Sequence, residues 1–234
     1  MLLEAEKLKL SNFNITERAS LFSDPEYGAL YIKPDDGFTE VDQFTLKQLV
    51  KKNQLNPLKG YNKKYLEFYP DEILVEKSFR DLTKAEQFIR NFFQYFDTLS
   101  EFYCESIIDK LHKFIAISPS NKSLNCRLEL VSSDSCKKFH IDNVHSRLIY
   151  TYAGPGTEIK HAVNSETSCI PSGSALIVKG YKYPEFQITT LHRSPPIAQE
   201  KIKRLLFIAD YVWAVSIIFL MKGKKPSSYL GPTE

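Results

Sequence analysis

The stretch KFHIDNVHSRLIYTY, residues 138–152, decides the fold, because it sets a histidine and an aspartate immediately before a strand-like run. His140 and Asp142 are separated by one residue, so in an extended segment both side chains leave the same face and can contact one ion. The same pair also arises by chance at the polar edge of an ordinary strand. Other residues of the chain are needed to decide between a metal site and an ordinary strand edge.

Short runs of β-forming residues recur after residue 118, and turn-forming segments separate them. The runs are CRLELV (126–131), RLIYTY (147–152), SALIVKG (174–180), FQITTLH (186–192) and RLLFIAD (204–210). Several short strands at regular spacing are typical of an antiparallel sandwich or barrel. The second half of the chain is therefore predicted to be a compact β unit.

The first half of the chain is predicted to be mainly helical. One helix begins at Thr45, and a longer helical pattern begins at Thr83, where Thr83 and Glu86 form a candidate capping box. An aromatic stripe at helical spacing follows, formed by Phe88, Phe92, Phe96 and Leu99. A stripe of this kind predicts a helix face that is buried in the core.

No linker in the sequence is long enough to force two domains, so we predict one α+β domain over residues 1–234. It divides into a mainly helical layer (1–118), a β core (119–212) and an apolar, then basic tail (213–234). The apolar run 205–221 is at the short limit for a membrane span and contains Asp210. A buried final strand followed by a docked helix is the simpler interpretation, and stable membrane insertion is not expected.

The composition indicates ample core material and little excess charge. Thirty-one basic residues against 28 acidic residues leave a net charge of +3, which is too small to argue for a nucleic-acid partner. The four cysteines show no CxxC spacing, and the N-terminus lacks a secretory signal. We therefore expect a cytoplasmic protein with free thiols, while its oligomeric state is not indicated.

A third candidate ligand, His192, stands far downstream of Asp142 and just before a turn. Two histidines and one carboxylate form the facial triad of non-haem iron(II) oxygenases, which leaves coordination positions open. Arg204 follows His192 by twelve residues. If these two residues lie on adjacent antiparallel strands, Arg204 can point into the same cavity and hold a carboxylate by a forked pair of hydrogen bonds.

The HxD pair, the distal histidine and the following arginine, set among short strands, resemble the jelly-roll core of the iron(II) and 2-oxoglutarate dioxygenases. More narrowly, several segments resemble an uncharacterised bacterial family, domain of unknown function 1826: LFSDPEYGALYIK (21–33), CKKFHIDNVHSRLIYTYAGPGTE (136–158), LIVKG (176–180), HRSPP (192–196) and RLLFIAD (204–210). The resemblance implies an α+β fold, with a double-stranded β-helix (jelly roll, cupin-like) core and an N-terminal helical layer.

The resemblance also implies an enzyme that hydroxylates an unknown small-molecule or protein substrate, with Fe(II) and 2-oxoglutarate as cofactors. His140, Asp142 and His192 would bind the iron, and Arg204 would bind the distal carboxylate of 2-oxoglutarate. Strand alternation puts Tyr150 and Tyr152 on one face and Arg147 on the other. If the tyrosine face is the cavity face, a tyrosine hydroxyl can bind the co-substrate, and otherwise the tyrosines form a core layer.

Two other functions are compatible with the same residues. A cupin-like metal-binding protein without oxygenase activity would use the three ligands for zinc or iron, for instance in metal homeostasis. A metal-free interaction module would leave His140 and Asp142 as strand-edge residues. His145 offers a rival HxDxxH grouping, but the β-rich run that begins at Arg147 argues against the helix that this grouping needs.

Overall fold

The computed structural model describes residues 15–55, 72–96, 99, 101–133, 136–163 and 166–212. The helices of these residues are α1 (Ile15–Ser23), α2 (Gln43–Leu55), α3 (Leu82–Tyr95) and α4 (Glu101–Ile117). The strands are β1 (Ala29–Ile32), β2 (Ile73–Phe79), β3 (Ser123–Val131), β4 (Ser146–Ala153), β5 (Glu158–His161), β6 (Thr167–Cys169), β7 (Ala175–Lys179), β8 (Thr190–Arg193) and β9 (Arg204–Val212).

Two antiparallel sheets form the centre of the molecule. The larger sheet has the strand order β1-β7-β4-β9-β3-β2, and the smaller sheet has the order β6-β5-β8. An isolated antiparallel bridge between His140 and His192 adds the HxD segment to the free side of β8. From β4 to β9 the chain passes back and forth between the two sheets, with β5 and β6 paired within the smaller sheet, which is the double-stranded β-helix that the resemblance implies. The predicted fold class is confirmed.

The larger sheet separates the helices from the smaller sheet. In β9 the residues Leu205, Phe207, Ala209 and Tyr211 belong to the same hydrophobic core as helices α3 and α4. The intervening residues of β9 belong to the opposite face, which we call the inner face, and begin with Arg204. On the inner face Ile149 and Leu176 pack with Ile159 of the smaller sheet. The period of two along each strand therefore produces one apolar core against the helices and a second layer between the sheets.

The first 118 residues contribute more than a helical layer. Strand β1 pairs with β7 at one edge of the larger sheet, and β2 pairs with β3 at the other edge. The sequence pattern did not predict these two strands, because it assigned the first half of the chain mainly to helices. The single long helix expected from Thr83 is instead α3 and α4, since Phe96 leaves helical backbone angles with φ −100° and ψ 72°.

The C-terminal prediction falls partly outside the described residues. The final strand is present as β9, whereas the helix expected after it lies in 213–234, which the structure does not describe. Among the helices of the described ranges, none has both the length and the apolar character that crossing a membrane requires.

Helix α3 is capped by Asp81 and not by Thr83. The Asp81 backbone is extended, and its side chain accepts a hydrogen bond from the Thr83 backbone N–H at 2.9 Å. The expected capping box between Thr83 and Glu86 is therefore wrong by two residues. Aspartate is among the best N-cap residues, because its carboxylate both accepts this bond and interacts favourably with the helix dipole.

We predict that Asp81→Ala lowers the free energy of unfolding by about 1 kcal/mol, since one N–H of the first helical turn loses its acceptor. Thr83→Ala keeps the backbone N–H and should change stability by less than about 0.5 kcal/mol. Urea denaturation of both variants measures the difference. An equal loss for the two substitutions would contradict the assignment of Asp81 as the cap.

Candidate metal centre

The two histidines of the candidate site are fixed by their own backbones. His140 N–H donates to the His192 carbonyl at 3.0 Å, and His192 N–H donates to the His140 carbonyl at 3.1 Å. Residues that exchange both hydrogen bonds lie directly opposite each other in an antiparallel pair, so their side chains leave the same face. The two imidazole centroids are accordingly 4.5 Å apart.

Asp142 completes a cluster of three candidate ligands. Its Oδ2 lies 3.0 Å from His192 Nε2, and its Oδ1 lies 3.6 Å from His140 Nε2. One ligand atom from each of the three residues lies within 4.8 Å of the other two. The structure thus brings together all three residues that the sequence singles out as metal ligands, and their occupation by a metal stays a prediction.

The hydrogen bonds around the cluster fit a divalent ion. His140 Nδ1 lies 2.8 Å from the Lys138 carbonyl, which can only accept, so Nδ1 carries the proton and Nε2 is left as a ligand atom. Asp142 Oδ2 is buried without a hydrogen-bond partner among the described residues. Its contact with His192 Nε2 is close but does not have the geometry of a hydrogen bond. An oxygen and two nitrogens that converge in this way suit an ion bound between them.

The charges of the cluster also favour ligand forms of Asp142 and His192. Burial alone would raise the pKa of Asp142, but the Arg147 guanidinium and the two imidazoles outweigh it and hold this pKa well below its usual range. Burial lowers the pKa of His192, which favours the neutral form of its imidazole, the form that binds a metal. The nearby Asp142 carboxylate raises the pKa of His140, so a proton competes with a metal at this candidate ligand.

A cavity of about 270 Å³ lies between the two sheets and connects the cluster with Arg204. Its polar lining includes Arg127, Glu129, His140, Arg147, His192 and Arg204, and its apolar lining includes Ile149, Leu206 and Ile208. The cavity is small, strongly charged at several points and walled by the inner face of the larger sheet. It therefore suits a small anionic molecule beside an ion.

The surroundings of Arg204 suit the binding of an anion. Its side chain is buried, with Nε donating to the Pro155 carbonyl at 2.6 Å and Nη2 donating to Thr157 Oγ1 at 3.4 Å. Both partners are neutral, and no carboxylate of the described residues forms an ion pair with it. Burial accordingly lowers the pKa of Arg204 to about 10. A ligand carboxylate would satisfy the remaining N–H groups.

The expected arrangement of the strands that carry His192 and Arg204 is wrong. These strands, β8 and β9, are not adjacent, because β8 belongs to the smaller sheet and β9 to the larger sheet. The two residues nevertheless line one cavity, since the connection between them crosses from one sheet to the other. They face each other across the cavity and are not neighbours within one sheet.

Arg147, to which the sequence pattern gives no role, contacts the cluster directly. Its Nη1 lies 2.6 Å from Asp142 Oδ1. Its other nitrogens contact Asp210, with Nε 2.5 Å from Oδ1 and Nη2 2.8 Å from Oδ2. The signal that could have identified Arg147 was strand alternation, which separates it from the two tyrosines of the same strand.

Tyr150 and Tyr152 do not line the cavity, which corrects their proposed role in cofactor binding. Both rings are buried in the core that faces the helices, where the Tyr150 hydroxyl lies 2.9 Å from Ser106 Oγ. Tyr152 stacks on Tyr103, and its hydroxyl has no hydrogen-bond partner among the described residues. Alternation within β4 was predicted correctly, but the Arg147 face is the cavity face.

His145 likewise lies away from the cluster. It is buried against Tyr183 and Tyr211, and its Nδ1 lies 3.1 Å from Ser146 Oγ. Burial and the nearby Lys122 lower its pKa to about 4, so the imidazole is neutral at physiological pH. The rival HxDxxH grouping is therefore not formed.

Comparison with known proteins links the chain to one family. The family model described as "Protein of unknown function (DUF1826)" matches residues 69–210. These residues include the three clustered candidate ligands and Arg204. A sequence comparison with curated proteins gives no match.

Solved structures with a similar fold include several oxygenases. The dioxygenase for auxin oxidation 1 from Arabidopsis thaliana, in complex with 2-oxoglutarate, is 11% identical with a TM-score of 0.51, over 87% of this chain and 91% of that chain. A Pseudomonas putida prolyl-4-hydroxylase is 7% identical with a TM-score of 0.43, over 86% and 99% of the two chains. A full-length Neurospora crassa protein, solved in complex with alpha-KG and 5-formyluracil, is 14% identical with a TM-score of 0.44, over 89% and 80%. The likeness to the auxin dioxygenase supports the fold assigned above.

We predict that Tyr152→Phe keeps stability or raises it by up to about 1 kcal/mol, because it removes a buried hydroxyl that has no partner among the described residues. Tyr150→Phe removes the bond to Ser106 and should cost about 1 kcal/mol. Urea denaturation compares the two variants, and calorimetry with 2-oxoglutarate should give one affinity for both and for the native protein. Weaker 2-oxoglutarate binding by Tyr152→Phe would contradict this placement and would indicate that the Tyr152 hydroxyl contacts the co-substrate.

Proposed function

Because the chain belongs to the DUF1826 family of proteins of unknown function, we propose an activity from the chemistry of the site itself: an iron(II) and 2-oxoglutarate dependent oxygenase that hydroxylates a substrate still to be identified. The observation that carries this proposal is the pairing of two features in one cavity. Three ligand atoms of His140, Asp142 and His192 converge, and the buried Arg204 guanidinium has only neutral partners among the described residues. An ion site alone would not need the second feature.

The three ligands would hold iron through His140 Nε2, His192 Nε2 and an oxygen of Asp142. Two neutral imidazoles and one carboxylate offset only part of the charge of a divalent ion, so further anionic ligands are favoured. When iron(II) and 2-oxoglutarate are bound, they supply the oxidation that converts 2-oxoglutarate and dioxygen into succinate and carbon dioxide and transfers one oxygen atom to the substrate. The chain's part is to bind, orient and shield these reactants.

Arg204 would bind the distal carboxylate of 2-oxoglutarate. A planar guanidinium matches the geometry of a carboxylate, and a charge-assisted pair is strong where water is excluded. Its bonds to Pro155 and Thr157 fix the direction of the guanidinium before any ligand enters. Leu206 and Ile208, the next inner-face residues of β9, provide apolar contact for the carbon chain.

The fold adds support of a coarser kind. The auxin dioxygenase that shares this fold was solved with 2-oxoglutarate bound. At 11% identity this likeness supports the compatibility of the fold with such a co-substrate and says nothing of the substrate. The identity of the substrate therefore has to come from the cavity and from experiment.

A metal-binding protein without oxygenase activity is the second candidate. It is favoured by the ligand set itself, since imidazole and carboxylate bind zinc as well as iron(II). A given site of this kind generally binds zinc more tightly than iron(II). The same three residues would then hold zinc for storage, transfer or sensing. The partly satisfied guanidinium of Arg204 is the feature that this candidate leaves without a role.

We predict that protein reconstituted anaerobically with Fe(II) forms succinate from 2-oxoglutarate when oxygen is admitted. Asp142→Ala should reduce succinate formation to background, because one of the three proposed iron ligands is lost. Arg204→Met should keep the iron but weaken 2-oxoglutarate binding by about 30-fold or more, equivalent to about 2 kcal/mol or more. Succinate is measured by chromatography and 2-oxoglutarate affinity by calorimetry.

His161→Ala is the matched control, since His161 lies on strand β5 beside β8 and is not a member of the ligand cluster. It should turn over 2-oxoglutarate like the native protein. Succinate formation that survives in Asp142→Ala would contradict the proposed iron site. Stoichiometric zinc binding without succinate from the native protein would favour the metal-binding candidate instead.

A further inference from the structure

We propose that Arg147, held in place by Asp210, is a positioning residue that reserves one oxygen of Asp142 for the metal. The inference rests on the proposed metal centre and does not depend on the reaction performed there. It concerns a residue that the ligand pattern of the sequence does not include. Arg147 contacts both carboxylates at once, and this double contact sets the orientation of the ligand.

The geometry begins with the sheet register. Arg147 in β4 lies directly opposite Asp210 in β9, and both side chains are on the inner face. The guanidinium donates Nε to Asp210 Oδ1 at 2.5 Å and Nη2 to Asp210 Oδ2 at 2.8 Å. A guanidinium is planar and rigid, so a fork of this kind also fixes the direction of the remaining nitrogen. That nitrogen, Nη1, points at Asp142.

The contact leaves the two oxygens of Asp142 in different situations. Oδ1 lies 2.6 Å from Arg147 Nη1. Oδ2 is buried, has no hydrogen-bond partner among the described residues and lies 3.0 Å from His192 Nε2. A carboxylate can bind a metal through one oxygen or through both. With Oδ1 committed to Arg147, Oδ2 is the oxygen that remains, so fewer coordination positions are taken by the protein.

Asp210 is the anchor of this arrangement and is itself buried. Asp210 also forms an ion pair with Arg127, whose Nη2 lies 3.5 Å from Asp210 Oδ2. Arg127 is on the adjacent strand β3, lines the same cavity and forms an ion pair with Glu129 at 3.3 Å. No contact between Arg127 and Asp142 is present in the described part of the chain. Arg127 and Arg147 thus carry the same charge, line the same cavity and both contact Asp210. Of the two, only Arg147 contacts Asp142, the candidate metal ligand.

This difference provides a matched pair of variants, Arg147→Lys and Arg127→Lys. Each keeps the positive charge beside Asp210, so neither leaves that buried carboxylate without a cation. Lysine lacks the planar fork and cannot hold two carboxylates in a fixed relation. A merely structural role for the charge predicts that the two variants behave alike, whereas positioning of Asp142 predicts that they differ.

The experiment titrates each metal-free protein with Co(II), which is stable in air and whose visible absorption reports its coordination. We expect Arg147→Lys to bind Co(II) about 10- to 100-fold more weakly than the native protein, the loss typical of an outer-shell partner of a metal ligand. Its Co(II) spectrum should also change, because Asp142 can use its second oxygen. Arg127→Lys should keep the native spectrum and an affinity within about threefold.

Native affinity and spectrum in Arg147→Lys would overturn the proposal, and so would equal losses in the two lysine variants. If Arg147→Lys does not fold, Asp210→Asn tests the same idea, since it releases the fork while keeping Arg147, and an unchanged Co(II) spectrum there would also overturn it. No Co(II) binding by the native protein would remove the metal centre and this role with it. Co(II) binding with the expected differences but no succinate formation would overturn the oxygenase and leave the positioning role intact.

Discussion

The site depends on the pair of backbone hydrogen bonds that His140 and His192 exchange. These histidines are far apart in the chain, and the bridge between them is the point at which the HxD segment joins the smaller sheet. Because a pair of this kind projects both side chains from one face, the imidazoles are brought together by sheet geometry and not by their own affinity for an ion. The cluster can therefore exist before a metal arrives.

The larger sheet contributes the charges around that cluster. Its inner face carries Arg147 and Arg204 at opposite ends of one cavity, and the two differ in their partners. Arg147 has two carboxylates, Asp142 and Asp210, whereas Arg204 has only neutral oxygens among the described residues. A buried cation without a counter-ion is costly, so this asymmetry indicates that Arg204 is the residue that would bind the anionic group of a ligand. The proposed ion site and the proposed anion site are consequently two parts of one cavity.

The sequence predicted the parts of this site that follow from strand periodicity. Spacing by two residues placed His140 and Asp142 on one face, and alternation correctly separated Arg147 from Tyr150 and Tyr152. Periodicity does not say which face of a strand meets the cavity, because an aromatic face and a charged face can each be buried when layers lie on both sides. The sequence therefore left the side of the tyrosines open, and their candidate role in cofactor binding is not met because they lie in the core against the helices.

Other features depend on contacts between distant segments, which a local pattern does not contain. The opposition of β8 and β9 in separate sheets follows from the winding of the whole double-stranded β-helix. The fork between Arg147 and Asp210 follows from the register of β4 and β9. Even a local feature, the cap of α3, was misplaced, since Asp81 and Thr83 are both acceptable caps and only backbone geometry separates them.

The central claim is that one cavity holds iron(II) and 2-oxoglutarate together, and anaerobic absorption spectroscopy tests it most directly. A 2-oxo acid chelated to iron(II) has a visible charge-transfer band that neither component has alone. The account predicts that this band appears when 2-oxoglutarate is added to the Fe(II)-loaded native protein and is absent from Asp142→Ala. Binding of both components to the native protein without the band would contradict the account, because they would then occupy separate sites.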